Sequence, residues 1–399
     1  MPTVPRPALL PDATLRRNVA LDALVAAGVG ITTAVVTSLV PAIARQAGLA
    51  PLGLAVIAAG PFVGNVLAAF AGRTGPHGIR GYAGLRVVGA LLLIAIAVAP
   101  DPALISVAAA AFWVFMSFGV PFQTRLWGAM YPGRVRGRVI GGLGTTRSAA
   151  AGVAAVAVGL LADRVGVPAA VSLAGVAGAL LGFAALGLRS AAPVPTRPFS
   201  VREAFGSLTS RPRLARLVLA QLVFGLGTIA ASPLYALVFV DRLHLSLADV
   251  GTVAVVGGIA MTVAYVAMGA VIDRYGHGLA LRVGALAGAA SVACFALAGG
   301  IPVLWAGAVL GGLSSAGIDI GIQGALSHHT PLADRAVAMA GWNAATGPRG
   351  IVAPLLASAA VQAGLLDVTG ALLLCVVPAF LGFLLYLLPD GSRPKPAVR

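Results

Sequence analysis

The chain is predicted to be an all-α membrane protein, with twelve transmembrane helices in two pseudo-symmetric six-helix bundles. Three observations predict this. Only 10% of its residues are charged and 59% are hydrophobic, whereas soluble domains carry roughly 25% charged residues. Apolar runs of about 20 residues, the length that crosses a bilayer, recur along the whole chain. When these runs are threaded back and forth, arginine falls overwhelmingly on one side.

The runs are bounded by charges or turn residues. Helix α1 covers 19–42, between Arg16-Arg17 and Arg45, and α2 covers 51–71, ending before Arg73. Helix α3 (82–99) lies between Arg80 and Asp101, and α4 (103–128) between Asp101 and Arg134. Helix α5 (139–162) runs from Arg138 to Asp163-Arg164, and α6 (168–188) completes the first six. In the second six, α7 (214–240) stops at Asp241-Arg242, and α8 (249–271) opens on Asp249 and stops before Asp273-Arg274. Then come α9 (279–298), α10 (302–325) before His328-His329, α11 (336–362) after Arg335, and α12 (367–388) from Asp367. A β-barrel would instead show alternating segments of about ten residues, and none occur.

With the N-terminus inside, Arg16, Arg17, Arg73, Arg80, Arg134, Arg136, Arg138, Arg197 through Arg216, Arg274, Arg335 and Arg393 to Arg399 all fall inside. Arg45, Arg164 and Arg242 fall outside, with Asp101, Asp163, Asp241, Asp249 and Asp367. The asymmetry predicts cytoplasmic termini. The longest polar stretch, 190–213, divides the chain into expected bundles of 1–189 and 214–399. Its Ser200-Val-Arg-Glu203 has the form of a capping box. Val201, Phe205 and Leu208 would line one face of a short amphipathic helix on the membrane surface. The halves read as a repeat: Arg17 and Arg216 lie 199 residues apart, as do Pro132 and Pro331, and Asp22 then falls on Gln221.

Composition narrows the function. Abundant Gly and Ala suit close helix packing. The net charge of +15 would suggest nucleic acid in a soluble protein; here it is read as positive charge retained in cytoplasmic loops, with no nucleic-acid partner. Cys294 and Cys375 lie in apolar runs and read as packing residues. The start does not have the form of a cleaved signal peptide, and no lipidation motif is present. An intramembrane enzyme would need a set such as H-E-x-x-H or G-x-S-x-G, and neither occurs, so no enzyme, cofactor or metal is expected. A non-transporting sensor would carry an extra soluble domain.

The most informative motif is Gly269-x-x-x-Asp273-Arg274-x-Gly276, between α8 and α9. With twelve helices, a central linker and inward termini, it resembles the major facilitator superfamily. The resemblance implies a monomeric secondary active transporter of a small organic solute, with protons as coupling ion, in a bacterial cytoplasmic membrane. It implies that Gly269 and Gly276 allow tight packing while Asp273 and Arg274 favour one access state. It also implies that α1, α4, α7 and α10 line a cavity while α3, α6, α9 and α12 face lipid. The first-half counterpart, Ala68-Ala-Phe-Ala-Gly72-Arg73-Thr-Gly75, has Gly72 where an Asp is expected. Helix α5 lacks the Gly-Pro pair of many exporters, and a Gly347-Pro348-Arg349-Gly350 string stands in α11 instead.

Polar groups within the spans agree with that division. They are Asp22 on α1, Gln123 and Arg125 on α4, Arg147 on α5, Gln221 on α7, Asp319 and Gln323 on α10, and Arg349 on α11. Arg86 and Arg282 lie near the starts of α3 and α9, where they can snorkel. A charge at the bilayer centre costs about 2.5–3.5 kcal/mol, so these residues are the candidate site. Arg349 either holds an anionic group, with Pro348 breaking the helix, or pairs with Asp319. Asp22 and Arg125 sit at similar depth and are expected to pair as a gate, with substrate contact as the alternative. Asp319, between Gly317 and Gly321, is the proton-coupling candidate, and a capped polar residue in a wide cavity is the other reading. His328 and His329 read as a solvated pair, and Trp113, Trp305 and Trp342 as packing residues. Three arginines against two aspartates lean toward an anionic or zwitterionic solute, with export preferred and uptake the alternative. Asp273→Asn is expected to slow transport more than Gly72→Asp does, since the second loop alone carries the acid. A wild-type rate from Asp273→Asn protein present at normal levels refutes this.

Overall fold

A computed structural model describes residues 12–71, 78–99, 101–189, 201–330 and 335–388. Among them every regular element is helical. Twelve long segments occupy the twelve expected places, and ten meet both the length and the hydropathy of a membrane span. Helix α1 runs Asp12–Ala34, continues through a π-helical turn at Val35–Leu39 and ends with Val40–Gln46. Helices α2 to α6 are Pro51–Ala71, Ile79–Ala97, Pro102–Met130, Gly133–Val165 and Val167–Phe183, the last closing in a 3₁₀ turn at Ala184–Gly187. Helix α7 is Pro212–Ala231, Leu234–Leu237 and a second π-helical turn, Val238–Arg242. Helices α8 to α12 are Leu247–Tyr275, His277–Ala296, Ile301–His329, Arg335–Gln362 and Val368–Leu387.

Several helices outrun the expected spans because hydropathy marks the bilayer, while backbone hydrogen bonding continues into the polar ends. Caps set some of the starts. Asp101 accepts from the Ala103 N–H at 2.8 Å at the head of α4. At the head of α8, Ser246 and Asp249 form a reciprocal capping box. Helix α7 breaks at Ser232-Pro233, where proline removes a donor. Helix α11, by contrast, passes unbroken through Pro348 and Pro354, which corrects the expectation that Pro348 breaks it.

The packing is pseudo-symmetric. Helix α1 packs on α5 and α6, α4 on α2 and α3, and α3 on α6. Adding six to each label gives the second half: α7 on α11 and α12, α10 on α8 and α9, and α9 on α12. The halves meet along α5–α8 and α2–α11, a pair of contacts that the same relation exchanges.

These seams are closed at one end. Gly159 and Gly251 sit back to back, so a Cβ on Gly159 would lie 2.6 Å from the Leu247 carbonyl and one on Gly251 2.5 Å from the Ala155 carbonyl. Polar contacts finish the rim. Arg45 holds Asp241 in a forked ion pair, with Nε at 2.9 and 3.0 Å and Nη2 at 2.8 Å. Asp163 accepts from the Ala248 N–H, and Gln362 from the Leu52 N–H, each at the start of a helix in the other half. One apolar cluster at this end draws on both halves, including Leu39, Phe112, Leu237 and Leu304. Toward the end that carries the linker, the clusters separate by half, one around Tyr82 and Met130, the other around Leu217 and Trp342. There Gly141, Gly142 and Gly144 of α5 and Gly258 and Gly269 of α8 face open space. The structure is closed at the rim and open at the linker end.

The linker helix, Val201–Thr209, packs on α11 and α7. Its Leu208 is buried with Leu214, Leu217 and Trp342, so it docks on protein where a membrane-surface position was expected. Ser200, the head of its predicted capping box, lies outside the described residues, as do Gly72, Arg73 and Gly75. Arg86 also departs from expectation. It is buried between α3 and α4 at 4% exposure and does not snorkel. Helix contact without space for a methyl group gives a test. Gly284→Val places carbon about 3 Å from the Ile318 nitrogen and should destabilise by about 1–3 kcal/mol through overpacking. Gly84→Ala, with nothing within 4 Å, should not. The thermal midpoint in detergent is the measurement.

Candidate functional site

Helix α10 presents Ser315, Asp319 and Gln323 on one stripe, and all three are exposed. Four-residue spacing stacks them on one face of the helix. The opposite face carries Gly317 and Gly321, where a Cβ would strike the Ala280 carbonyl and Leu281 of α9. The glycines thus bring α9 close, as the sequence suggested, and the polar stripe is turned the other way. Tyr265 of α8 donates its hydroxyl to Asp319 at 2.7 Å. Arg147, exposed on α5 of the other half, acts electrostatically on both Asp319 and Tyr265. No ion pair within 4 Å joins it to Asp319.

Arg349 lies elsewhere. Its Nη1 donates to the backbone carbonyl of Gln221 on α7, and it stands over Gly225, which has no side chain to obstruct it. The alternative in which Arg349 pairs with Asp319 is therefore corrected. Gln221 is buried at 6% exposure and accepts from the Tyr386 hydroxyl at 2.6 Å.

Asp22 is buried at 1% exposure. Its partners are Trp127 Nε1 at 2.6 Å and the Tyr131 hydroxyl at 3.0 Å, both from α4. These donors, an indole and a phenol one turn apart, join α1 to α4 at Asp22. Trp127 and Tyr131 were missed by sequence reading because neither is charged. The side chain of Arg125 lies outside the described residues. Asp22 and Gln221 are equivalent under the 199-residue offset, and each is held by a tyrosine hydroxyl. Gln123 is half-buried and accepts from Arg86 at 3.1 Å.

In the α8–α9 loop Gly276 has φ +82° and ends α8 with its N–H on the Ile272 carbonyl at 2.9 Å. That conformation favours glycine. Neither Gly269 nor Gly276 is closely packed, since a Cβ on either meets nothing within 4 Å; the tight packing expected of them is not seen. Asp273 and Arg274 are exposed, and Arg274 lies 5.4 Å from the Tyr275 ring centroid. Among the described residues Asp273 forms no ion pair within 4 Å.

His277 joins His328 and His329, with ring centroids 4.9 to 5.6 Å apart, so the expected pair is a threesome. No group of three or more His, Cys, Asp or Glu suited to a metal ion occurs among the described residues. Trp342 is buried, Trp113 packs against Gly60, and Trp305 donates to Thr252 at 3.2 Å. Removing the Asp22 carboxylate with Asp22→Ala strands two donors and should cost about 1–3 kcal/mol. Unfolding followed by Trp127 fluorescence checks this, with Asp22→Asn expected to retain part of the loss.

The chain matches the Major Facilitator Superfamily over residues 23–301 and 217–399. No curated protein matches it by sequence. Among solved structures, a variant of the nucleoside transporter NupG superposes with a TM-score of 0.78 at 13% identity, covering 93% of this chain and 98% of that one. The human organic anion transporter TETRAN gives 0.62 at 14% identity, with 93% and 99% coverage. A bacterial homologue of the human lysosomal transporter Spinster, inward-facing and unoccupied, gives 0.69 at 12% identity, with 96% and 100% coverage.

Proposed function

The chain belongs to the Major Facilitator Superfamily and is a multi-pass membrane transporter, and from that premise we propose that it exports a small zwitterionic organic solute in exchange for protons. The observation that carries this reading is the facing of Asp319 on α10 and Arg147 on α5. They are opposite charges on opposite halves, both exposed in the open space and not closed on each other. A zwitterion bridges such a pair, its carboxylate on Arg147 and its ammonium on Asp319. Protonation of Asp319 removes the second contact, so solute and proton compete for one site, which is the condition for exchange.

In this reading residues 1–189 and 214–399 rock as two bodies about the site, joined by 190–213. The termini are cytoplasmic, supported by the arginine asymmetry, and the membrane is a bacterial cytoplasmic membrane. The open linker end then faces the cytoplasm, where an exported solute loads. Asp273 is exposed and, among the described residues, forms no ion pair in this open state. That suits a latch whose contacts form when the linker end closes. Transporters of nucleosides, organic anions and peptides are among the solved structures with this fold, which supports a small polar solute.

Proton-coupled uptake of an anion is the second reading. The surplus of arginine among the intramembrane charges favours it, as does the absence of a Gly-Pro pair in α5. There, neutralising Asp319 frees Arg147 to hold the anion, so proton and solute bind together. Reconstitution into liposomes with organic zwitterions, anions and cations under an imposed pH gradient separates the two by the direction of accumulation. Asp319→Asn is expected to abolish gradient-driven accumulation and retain solute-for-solute exchange, because that exchange moves no net proton. An unchanged dependence on the pH gradient eliminates Asp319 and turns attention to Asp22.

A further inference from the structure

Arg86 is a buried cation on a helix expected to face lipid. Its Nη1 donates to the Met116 backbone carbonyl at 3.1 Å and lies 3.2 Å from the Met116 sulfur, and its Nη2 donates to Gln123 Oε1 at 3.1 Å. The guanidinium carbon is 5.1 Å from the Tyr82 ring centroid. Helix α4 is bare where the cation arrives, since a Cβ on Gly119 would stand 2.8 Å from that carbon. Among the described residues no carboxylate lies within 4 Å of it. An apolar side chain would pack α3 on α4 without the desolvation cost of a buried cation.

What the cation adds is direction at Gln123. A guanidinium offers donors only, so the amide atom that faces it is the oxygen. The amide nitrogen is turned away, and it is not among the buried polar atoms that lack a partner. An unconstrained glutamine serves as donor or acceptor at will. This one is fixed as a donor, and its N–H bonds are polarised by the bond its oxygen accepts.

We propose that Arg86 is a positioning residue that holds Gln123 as a hydrogen-bond donor to an acceptor oxygen of the solute, a carboxylate oxygen above all. The inference rests on the solute reading given above and adds α4 to the site. It assigns the pocket two donors for one end of the solute, Arg147 from α5 and Gln123 from α4, against a single carboxylate, Asp319, for the other.

The test uses the full-length protein labelled with ¹⁵N-glutamine in nanodiscs, with the Gln123 side-chain amide identified by its loss in Gln123→Leu. Arg86→Met is expected to shift that resonance and leave those of Gln221 and Gln323 in place. Arg86→Lys, which keeps a donor-only cation, should hold it near the wild-type position. Gly119→Ala displaces the guanidinium and should reproduce the Arg86→Met shift, and it serves where Arg86→Met does not fold. An unmoved Gln123 resonance overturns the proposal, and so does a shift of every glutamine, the mark of a merely structural role. Liposome uptake of labelled phenylalanine, against phenethylamine as the acceptor-free analogue, is the second readout. The wild type should prefer phenylalanine, and Arg86→Met should raise its KM about tenfold with kcat little changed. A wild type that prefers phenethylamine while the resonance pattern holds overturns the solute reading and leaves the positioning of Gln123 standing.

Discussion

Within hydrocarbon a polar group has no water to turn to, so it must bring or find its partner inside the protein. The rest of this structure follows from that constraint. It makes the described spans helical, and it accounts for the partners that several buried side chains find. Asp22 has the indole and phenol of α4, Gln221 has the Tyr386 hydroxyl, and Ser291 donates to the Gly307 carbonyl at 2.7 Å. Arg282 reaches the Tyr386 carbonyl at 3.1 Å, near the end of α12, where helical carbonyls lack partners. Against that background Arg147 and Asp319 stand out, because they are exposed well inside their spans. Polar groups at that depth belong to a surface that water or a solute reaches.

Glycine does for the backbone what these partners do for side chains. At Gly159 and Gly251 the halves approach to backbone contact, and at Gly284 and Gly317 α9 and α10 do the same within one half. Without a hydrophobic driving force between helices in lipid, such close packing is what holds them together. The seam between halves is therefore strong at the rim, where glycines, the Arg45–Asp241 pair and two cross-half helix caps coincide. It is absent at the linker end. In the proposed alternating access such a joint would separate at the rim and close at the other end.

The two halves share a packing plan and differ in chemistry. Asp22 and Gln221 occupy equivalent positions, yet the first is an acid sealed by two donors and the second a neutral amide beside the cation Arg349. Asp319 has no acidic equivalent in the first half: 199 residues earlier stands Val120. The pseudo-symmetry therefore gives both halves one packing plan, and the asymmetry gives the second half an exposed acid that the first lacks at the equivalent position.

The sequence by itself determined the class, the twelve helices and the end of the bundle at which arginine collects, because hydropathy and charge act one residue at a time. It also determined that Asp319 sits on a glycine-bearing helix, since spacing alone places Gly317 and Gly321 beside it. Which groups meet was decided only by the tertiary structure. Trp127 and Tyr131 hold Asp22, and neither stood out in the sequence, because an uncharged donor leaves no trace in a charge pattern. Arg86 read as a snorkelling end residue, yet the bare surface at Gly119, 33 residues away in sequence, lets it turn inward. Arg349 was matched by charge with Asp319 and instead takes a backbone carbonyl, an acceptor that every residue carries and no sequence marks. Sequence fixes depth along a helix, whereas the rotation of one helix against the next is set by packing of many small contacts, and it is that rotation which chooses partners.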